Sequence, residues 1–490
     1  MNKSLIVIGS GFAGLSAASF MAKAGWKVTV LEKHNQPGGR ARRLSANGFQ
    51  FDMGPSWYWM PDIFERYFEQ FGKQVTDYYK LTRLDPSYRV YYENGPIDIP
   101  ADYQALRSVF EKLEPGSAPK LDKFLHEAAY KYQVGIQKLV FKPGQSLTEF
   151  ADIDLLKGIF KLDVFNSMKS HVASHFKDSR LQQLMEFPVL FLGALAEKTP
   201  ALYSLMNYAD IKGGTWYPEK GMYSIVEGMY QLALSLGVEF KFNEEVERLE
   251  LQGNQIKFVH TKAGSYKADA IVGSADYHHI ETKLLPASAR SYSETYWDTR
   301  VMAPSCLLYY VGINKKVANM VHHSLFFDSS FDVHGKEIYV TKTWPQNPLF
   351  YVSASSITDP SCAPEGHENL FFLIPVAAGL EGDTEEIRQH YFNLVLERME
   401  RITGQNIRDH IVFQQSFAYS EFVKDYNSFK GNAYGLANTL LQTAVLKPAC
   451  RSKKVKNLFY AGQLTVPGPG VPPSLISGEV VANEVLKHFS

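Results

Sequence analysis

Near its start the chain alternates short apolar runs ending in glycine with stretches in which apolar residues recur at helical spacing. Leu5 to Ile8 is a β-branched run closed by Gly9, which predicts a buried parallel strand. Small and apolar residues from Gly14 to Ala24 follow the helical period, and "KVTVLEK" from Lys27 predicts a second strand. Together they make a βαβ unit. From Glu245 to His278 the pattern predicts strand, Gly253-Asn254 turn, strand, turn and strand, ending in the small residues "GSAD". Asn457 to Phe489 predicts a last strand, a Gly-Pro loop and an amphipathic helix.

Two long segments separate these pieces. The segment 96–218 reads as largely helical. Within it, Leu155, Leu156, Ile159, Phe160, Met168, Val172 and Phe176 predict an amphipathic helix carrying Lys157, Lys161 and Lys169, of a kind that lies in a membrane interface or covers a core. The segment 288–440 holds strand-like runs from Ser305, Leu349 and Asn369, which predict a mixed or antiparallel sheet. A chain of 490 residues exceeds what one core usually serves. The expected organisation is an α/β domain in three pieces, 1–95, 219–287 and 441–490, with a helical insert over 96–218 and a sheet over 288–440.

Lys plus Arg equals Asp plus Glu at 51 each, so no overall field recruits nucleic acid. Cys306, Cys362 and Cys450 are isolated, match no metal-ligand spacing and read as free thiols in a reducing compartment. The pairs His278-His279 and His322-His323 lack the spacing of a helical zinc site and read as surface or core residues, so no metal is expected. The longest apolar runs, from Phe187 and Leu370, fall short of the ~20 residues that span a bilayer. No signal peptide fits the N-terminus. The expectation is a protein that is soluble or lies on a membrane.

The glycine loop carries the first chemistry. Gly9 makes the tight turn, Gly11 lets a pyrophosphate approach the backbone, and Gly14 lets the helix pack closely on the strand, while the helix N-terminus faces the anion. Glu32 ends the second strand, where a carboxylate accepts from the ribose hydroxyls of an adenosine. "NQPGGRARR" then brings Gly38 and Gly39, with Arg40 and Arg42 as guanidinium forks beside the same phosphates.

This second loop resembles the extended dinucleotide motif of flavoproteins in the amine-oxidase and carotenoid-desaturase superfamily. The resemblance implies FAD and a discontinuous Rossmann-like FAD-binding domain. A mixed sheet-plus-helix substrate domain and a helical membrane-facing insert accompany it. It also implies cofactor contacts from Gly9, Gly11, Phe12, Ala13 and Gly14, from Glu32 and Lys33, and from Gly38, Gly39 and Arg40. Further contacts are implied from Gly54, Pro55 and Ser56, from Val246 against the adenine, and from Gly462, Gln463, Gly470 and Val471. A helix N-terminus near Pro473 would face the flavin N1 and C2 carbonyl. Many such proteins have an acid after the last "AG"; here Gln463 follows Ala461-Gly462.

The stretches "FDMGPSWYWMP", "TPALYSLMNYADIKGGTWYPEKGM" and "GQLTVPGPGVPPSLISG" narrow the resemblance to bacterial-type phytoene desaturases, the flavobacterial ones above all. That implies FAD-dependent desaturation of phytoene stepwise toward lycopene, reoxidation by a quinone or oxygen, and a peripheral place on the cytoplasmic membrane face. The proton acceptor is implied among the acids opening the helical insert, Glu149 and Asp152 with Asp154 nearby, where the next cation is Lys157 and not an arginine. Trp57, Tyr58, Trp59, Trp216 and Tyr217 are expected to shape a substrate tunnel. A hydroxycarotenoid 3,4-desaturase, an isomerase, a saturase, an amine oxidase or a non-enzymatic prenyl-lipid chaperone stays open beside this reading, as does the oligomeric state.

Overall fold

The computed structural model describes residues 3–146, 149, 162–190 and 193–490. A five-stranded parallel sheet is assembled from the chain's beginning, middle and end, in the order Leu458–Tyr460, Ala270–Gly273, Ser4–Ile8, Lys27–Leu31, Glu239–Lys241. Ser4–Ile8 is central and buried on both faces, which is why Leu5 to Ile8 reads as an unbroken apolar run. The helices Phe12–Lys23 and Val471–Phe489 lie together on the sheet. Their contact depends on Gly478, where a Cβ would stand 2.4 Å from the Ala13 carbonyl oxygen. The hairpin Val246–Gln252 and Gln255–Thr261 turns at Gly253-Asn254, with Gly253 at φ +64°.

A second, seven-stranded sheet runs in the order Ile411–Phe417, Ser305–Ile313, Glu368–Val376, Phe350–Ser353, His323–Phe326, Tyr88–Tyr92, Gly95–Ile99. It is mixed: only the pairing of His323–Phe326 with Tyr88–Tyr92 is parallel. All nine residues of Ser305–Ile313 and of Glu368–Val376 are buried, because both faces of the sheet are covered. Leu307, Tyr309, Phe372 and Ile374 meet Phe392, Val395 and Met399 of the helix Glu385–Thr403. On the other face Leu308, Tyr310, Tyr351 and Leu373 join a core with the helices Tyr103–Leu113, Ser117–Val134 and Ser179–Leu190. The hairpin Tyr88–Tyr92 with Gly95–Ile99 straddles the boundary expected at 95 and belongs to this second sheet.

The helix expected over Leu155 to Phe176 needs correction. Residues 150–161, and with them Asp152, Asp154, Lys157 and Lys161, lie outside the described residues. Leu162 to Ser167 is not helical, and the helix is Met168–His175. Met168, Val172 and Phe176 are fully buried against Leu121 and Phe124, so this part of the pattern faces a core and not a membrane. Lys169 reaches Asp332 at 2.9 Å. Among the described residues no helix is long and apolar enough to cross a membrane.

Candidate functional site

One cavity of about 410 Å³ runs from the glycine loop of the parallel sheet to the buried face of the seven-stranded sheet. At its first end Gly9 holds φ +96°, a turn that favours glycine. Gly14 is forced differently: a Cβ there would stand 2.1 Å from the Gly9 carbonyl oxygen. At Gly11 a Cβ would meet nothing within 4 Å, so that face of the loop is open. Gly11 also begins the helix Phe12–Lys23 without a capping side chain, leaving first-turn N–H groups to face the cavity.

Glu32 stands at the end of Lys27–Leu31 and is 4% exposed. Its carboxylate accepts from the Ser10 N–H at 2.8 Å, the Ser10 hydroxyl at 2.6 Å and the His34 N–H at 2.9 Å. It thus fixes the loop as well as lining the cavity. Ser10 carries no motif letter, and the sequence reading missed it.

Arg40 donates to the Ser428 hydroxyl and, at 3.4 Å, to the Asn432 carbonyl, while its buried Nε has no partner among the described residues. Burial lowers the guanidinium's pKa, and the carboxylate of Asp276 opposes that shift. Arg42, expected beside it, instead pairs with Asp425 at 2.6 Å and does not line the cavity. Gly54 lets the chain pass Arg40, whose carbonyl oxygen would lie 2.6 Å from a Cβ.

Every residue for which a cofactor contact was inferred lines this cavity except Arg42, which is paired with Asp425, and Gly14, whose role is packing. Val246 is buried at the start of its strand, above the ion pair of Glu245 with Lys33 at 3.1 Å. Gln463 donates to Asn432 Oδ1 at 2.8 Å. The C-terminal helix begins at Val471, preceded by Gly470 at φ +114°. An unpaired buried guanidinium nitrogen, an uncapped helix N-terminus and an open glycine face supply the donors and the close approach that a dinucleotide's pyrophosphate needs.

The second end is apolar and aromatic, with Trp57, Trp59, Phe187, Met206, Leu308 and Leu373 along it. Tyr58 turns away to Tyr79, at 3.1 Å between hydroxyls, and Tyr217 turns toward Cys362 Sγ at 3.4 Å. Those two are buried and Trp216 packs half-buried against the core, and none of the three lines the cavity. Trp57 lies on the imidazole of His323, and Tyr351 reaches both His323 and Ser56. The thiol of Cys306 also lines the cavity and is pushed up to about 12 by burial. All three cysteines are buried and free.

Of the two inferred acids only Glu149 is among the described residues. Glu149 accepts from the backbone N–H groups of Gly144, Gln145 and Ser146 at 2.8, 2.9 and 3.1 Å and closes a turn. It is not among the lining residues. Asp152 lies outside the described residues.

Residues 12–486 match the model of the family described as flavin containing amine oxidoreductase. The chain belongs to the flavin-containing amine oxidoreductases. As in that family, its cofactor is FAD, and the residues at the first end of the cavity fit it. Along nearly its full length this oxidoreductase resembles carotenoid desaturases. It is 41% identical over 488 residues to a carotenoid 3,4-desaturase of Haloarcula japonica, covering 99% of this chain and 98% of that one. It is 30% identical to a zeta-carotene-forming phytoene desaturase of Myxococcus xanthus, covering 98% and 93%. A solved fatty acid isomerase of P. acnes shares the fold, with a TM-score of 0.62 at 16% identity over 100% of this chain and 99% of that one. The resemblance thus holds for carotenoid desaturases as a group, and the narrowing to phytoene desaturases does not follow from it.

Proposed function

We propose that the protein is an FAD-dependent carotenoid 3,4-desaturase. The observation that carries this is the 41% identity to a carotenoid 3,4-desaturase over nearly the whole of both chains, above the 30% shared with a phytoene desaturase. The cavity suits the chemistry. It joins a dinucleotide cradle to an apolar, aromatic chamber with little polar surface, which favours a hydrocarbon chain and excludes water.

Bound FAD supplies a hydride acceptor. The chain's residues then have two tasks: to hold a saturated bond at the end of a polyene and to receive one proton. Positive charge left on the polyene spreads over its double bonds, so a weak base suffices. We also propose that the carotenoid is drawn from the cytoplasmic face of a membrane and that a quinone or oxygen accepts the electrons.

The test is purified, FAD-loaded protein with two substrates in separate liposome preparations. One is phytoene; the other is an acyclic carotenoid that is already conjugated but has a saturated 3,4 bond. The expected result is a shift of the second substrate's visible band to longer wavelength, with phytoene unchanged. Appearance of visible absorbance from phytoene alone would instead favour a phytoene desaturase.

A further inference from the structure

We propose that Tyr351, backed by His323, accepts the proton that the carotenoid loses, an inference that rests on the desaturase reading above. Tyr351 lines the aromatic end of the cavity. Its hydroxyl lies 2.6 Å from His323 Nδ1 and 3.0 Å from Ser56 Oγ, another lining residue. The two strands set this up. His323 pairs with Ser353 and Leu325 with Tyr351, so the period of two puts His323 and Tyr351 diagonally on one face.

The other polar groups along the wall serve differently. Glu32, Glu245, Asp276 and Asp425 belong to the cradle end, where each has a backbone or cationic partner, and Glu244, whose Oε2 has no partner among the described residues, stands beside Glu245 at that end, away from the aromatic chamber. Tyr434 is bonded to the thiol of Cys306, which burial keeps protonated and which therefore offers no lone pair of useful basicity. Only Tyr351 has an imidazole nitrogen directly behind it among the described residues.

A C–H bond of the carotenoid breaks and its electron pair becomes the new double bond. The proton forms an O–H bond on Tyr351 as the phenol's own proton passes to His323 Nδ1. The other hydrogen has left as hydride, with FAD as its acceptor. The Tyr351 hydroxyl donates to Ser56 Oγ in the structure, and because a hydroxyl proton rotates freely it can turn instead toward His323 Nδ1, 2.6 Å away. Accepting at Nδ1 requires the tautomer with its proton on Nε2, an atom that is buried and has no partner among the described residues.

Burial, with the neighbouring His322 adding to it, holds the His323 pKa well below the usual imidazole range, so the base is neutral and ready at physiological pH. His322, whose charge when protonated is the second cause of that lowering, is itself held down to about 3 by burial. The charge formed transiently on His323 meets the face of Trp57, with ring centres 4.2 Å apart and planes 9° from parallel.

The experiment measures anaerobic single-turnover conversion of the conjugated 3,4-saturated carotenoid by FAD-loaded wild type, Tyr351→Phe and His323→Gln, with Tyr217→Phe as control. Bound flavin absorbance reports folding. Tyr351→Phe should slow conversion by ~10²-fold or more, with flavin content unchanged and the solvent deuterium isotope effect abolished. His323→Gln should show the same loss in the single-turnover rate, because the phenol stays in place but has no base behind it. Tyr217→Phe should match wild type. If wild type converts the carotenoid and Tyr351→Phe stays within about threefold of it, with the isotope effect intact, this proposal fails while the desaturase reading stands. If wild type itself leaves that carotenoid unchanged, the desaturase reading fails. Should Tyr351→Phe lose flavin, Tyr351→His, which keeps a proton-accepting group at the site, must recover conversion for the proposal to survive.

Discussion

A single oxygen of Glu32, Oε2, accepts both the backbone N–H and the hydroxyl of Ser10, at 2.8 and 2.6 Å. The carboxylate that ends the second strand therefore also ties down the loop between Gly9 and Gly11. Glu32→Ala should weaken FAD binding by roughly ten- to a hundredfold, since hydrogen bonds to charged groups contribute ~1.5 to 3 kcal/mol. Ser10→Ala should cost less, because the N–H bond to Glu32 remains. Titration of the apoprotein with FAD, followed by flavin fluorescence, measures both; equal affinity in Glu32→Ala and wild type would remove Glu32 from the cofactor site.

Gly11 and Gly14 separate cofactor approach from packing. A Cβ at Gly14 would stand 2.1 Å from the Gly9 carbonyl oxygen, whereas one at Gly11 meets open space, and Gly11 has an ordinary φ of −70°. Gly14→Ala should destabilise the fold by about 1 to 3 kcal/mol or more through overpacking. Gly11→Ala should leave the apoprotein's melting temperature close to wild type and still lose FAD affinity. Thermal melts of the apoproteins, compared with flavin content after reconstitution, distinguish the two effects.

The stability of the protein should rise with pH between about 7 and about 10.5. Lys447 is buried beneath the loop before the C-terminal helix, with Asn438 Oδ1 at 3.0 Å, and burial lowers its pKa to about 7. Unfolded, the lysine titrates near 10.5 and binds a proton that the folded state releases above 7. The unfolded state then holds more protons, so stability is fully present above the unfolded pKa and is lost as pH falls through the folded one. Lys447→Met should flatten this dependence and raise stability near neutral pH. Urea melts of both proteins at pH 7 and pH 9.5 test it; parallel slopes would show that Lys447 stays charged when buried.

The cradle was legible because its determinants are local. The spacing of Gly9, Gly11 and Gly14, the acid at the end of the next strand and the second glycine pair each act through backbone geometry within a few residues. The chamber was not legible for the opposite reason. Tyr351 and His323 are brought to Ser56 and Trp57 by pairing across a sheet whose strands are hundreds of residues apart from that loop in sequence. No spacing rule marks them. Met168, Val172 and Phe176 show a different limit: the helical period is the same whether the apolar side meets lipid or, as here, Phe124 and Leu121. Likewise "SWYWMP" announces aromatics, but strand and turn geometry sends Trp57 and Trp59 to the cavity and Tyr58 to Tyr79.

Lysine substitutions test contact with a membrane. Lys169 is paired with Asp332, so Lys169→Glu should leave flotation with anionic liposomes unchanged. Lys157→Glu with Lys161→Glu should weaken it if those lysines meet head groups, each contributing ~1 kcal/mol near such a surface. Flotation of flavin-loaded protein is the readout. Equal flotation of the double variant and wild type would remove this segment from any membrane contact.

The role of the inferred acids follows from the same accounting of partners. Glu149 spends its carboxylate on three backbone N–H groups, two of them, from Gln145 and Ser146, exposed to water, so Glu149→Gln should lower stability by about 0.5 to 1.5 kcal/mol, the net worth of a typical hydrogen bond, and leave the chemical step nearly intact. Asp152, inferred from the sequence and outside the described residues, is the rival proton acceptor to Tyr351. A positioned general base usually contributes ~10²- to 10⁴-fold. Because the polyene shares the charge and Tyr351 stands in the cavity, Asp152→Asn should slow single-turnover conversion by less than about 10²-fold, while removal of FAD abolishes it. Flavin reduction under anaerobic conditions is the measurement, since KM in a bilayer depends on how the carotenoid partitions. If Asp152→Asn binds flavin and carotenoid normally yet is as inactive as the FAD-free protein, Asp152 is the essential proton acceptor and Tyr351 only lines the chamber.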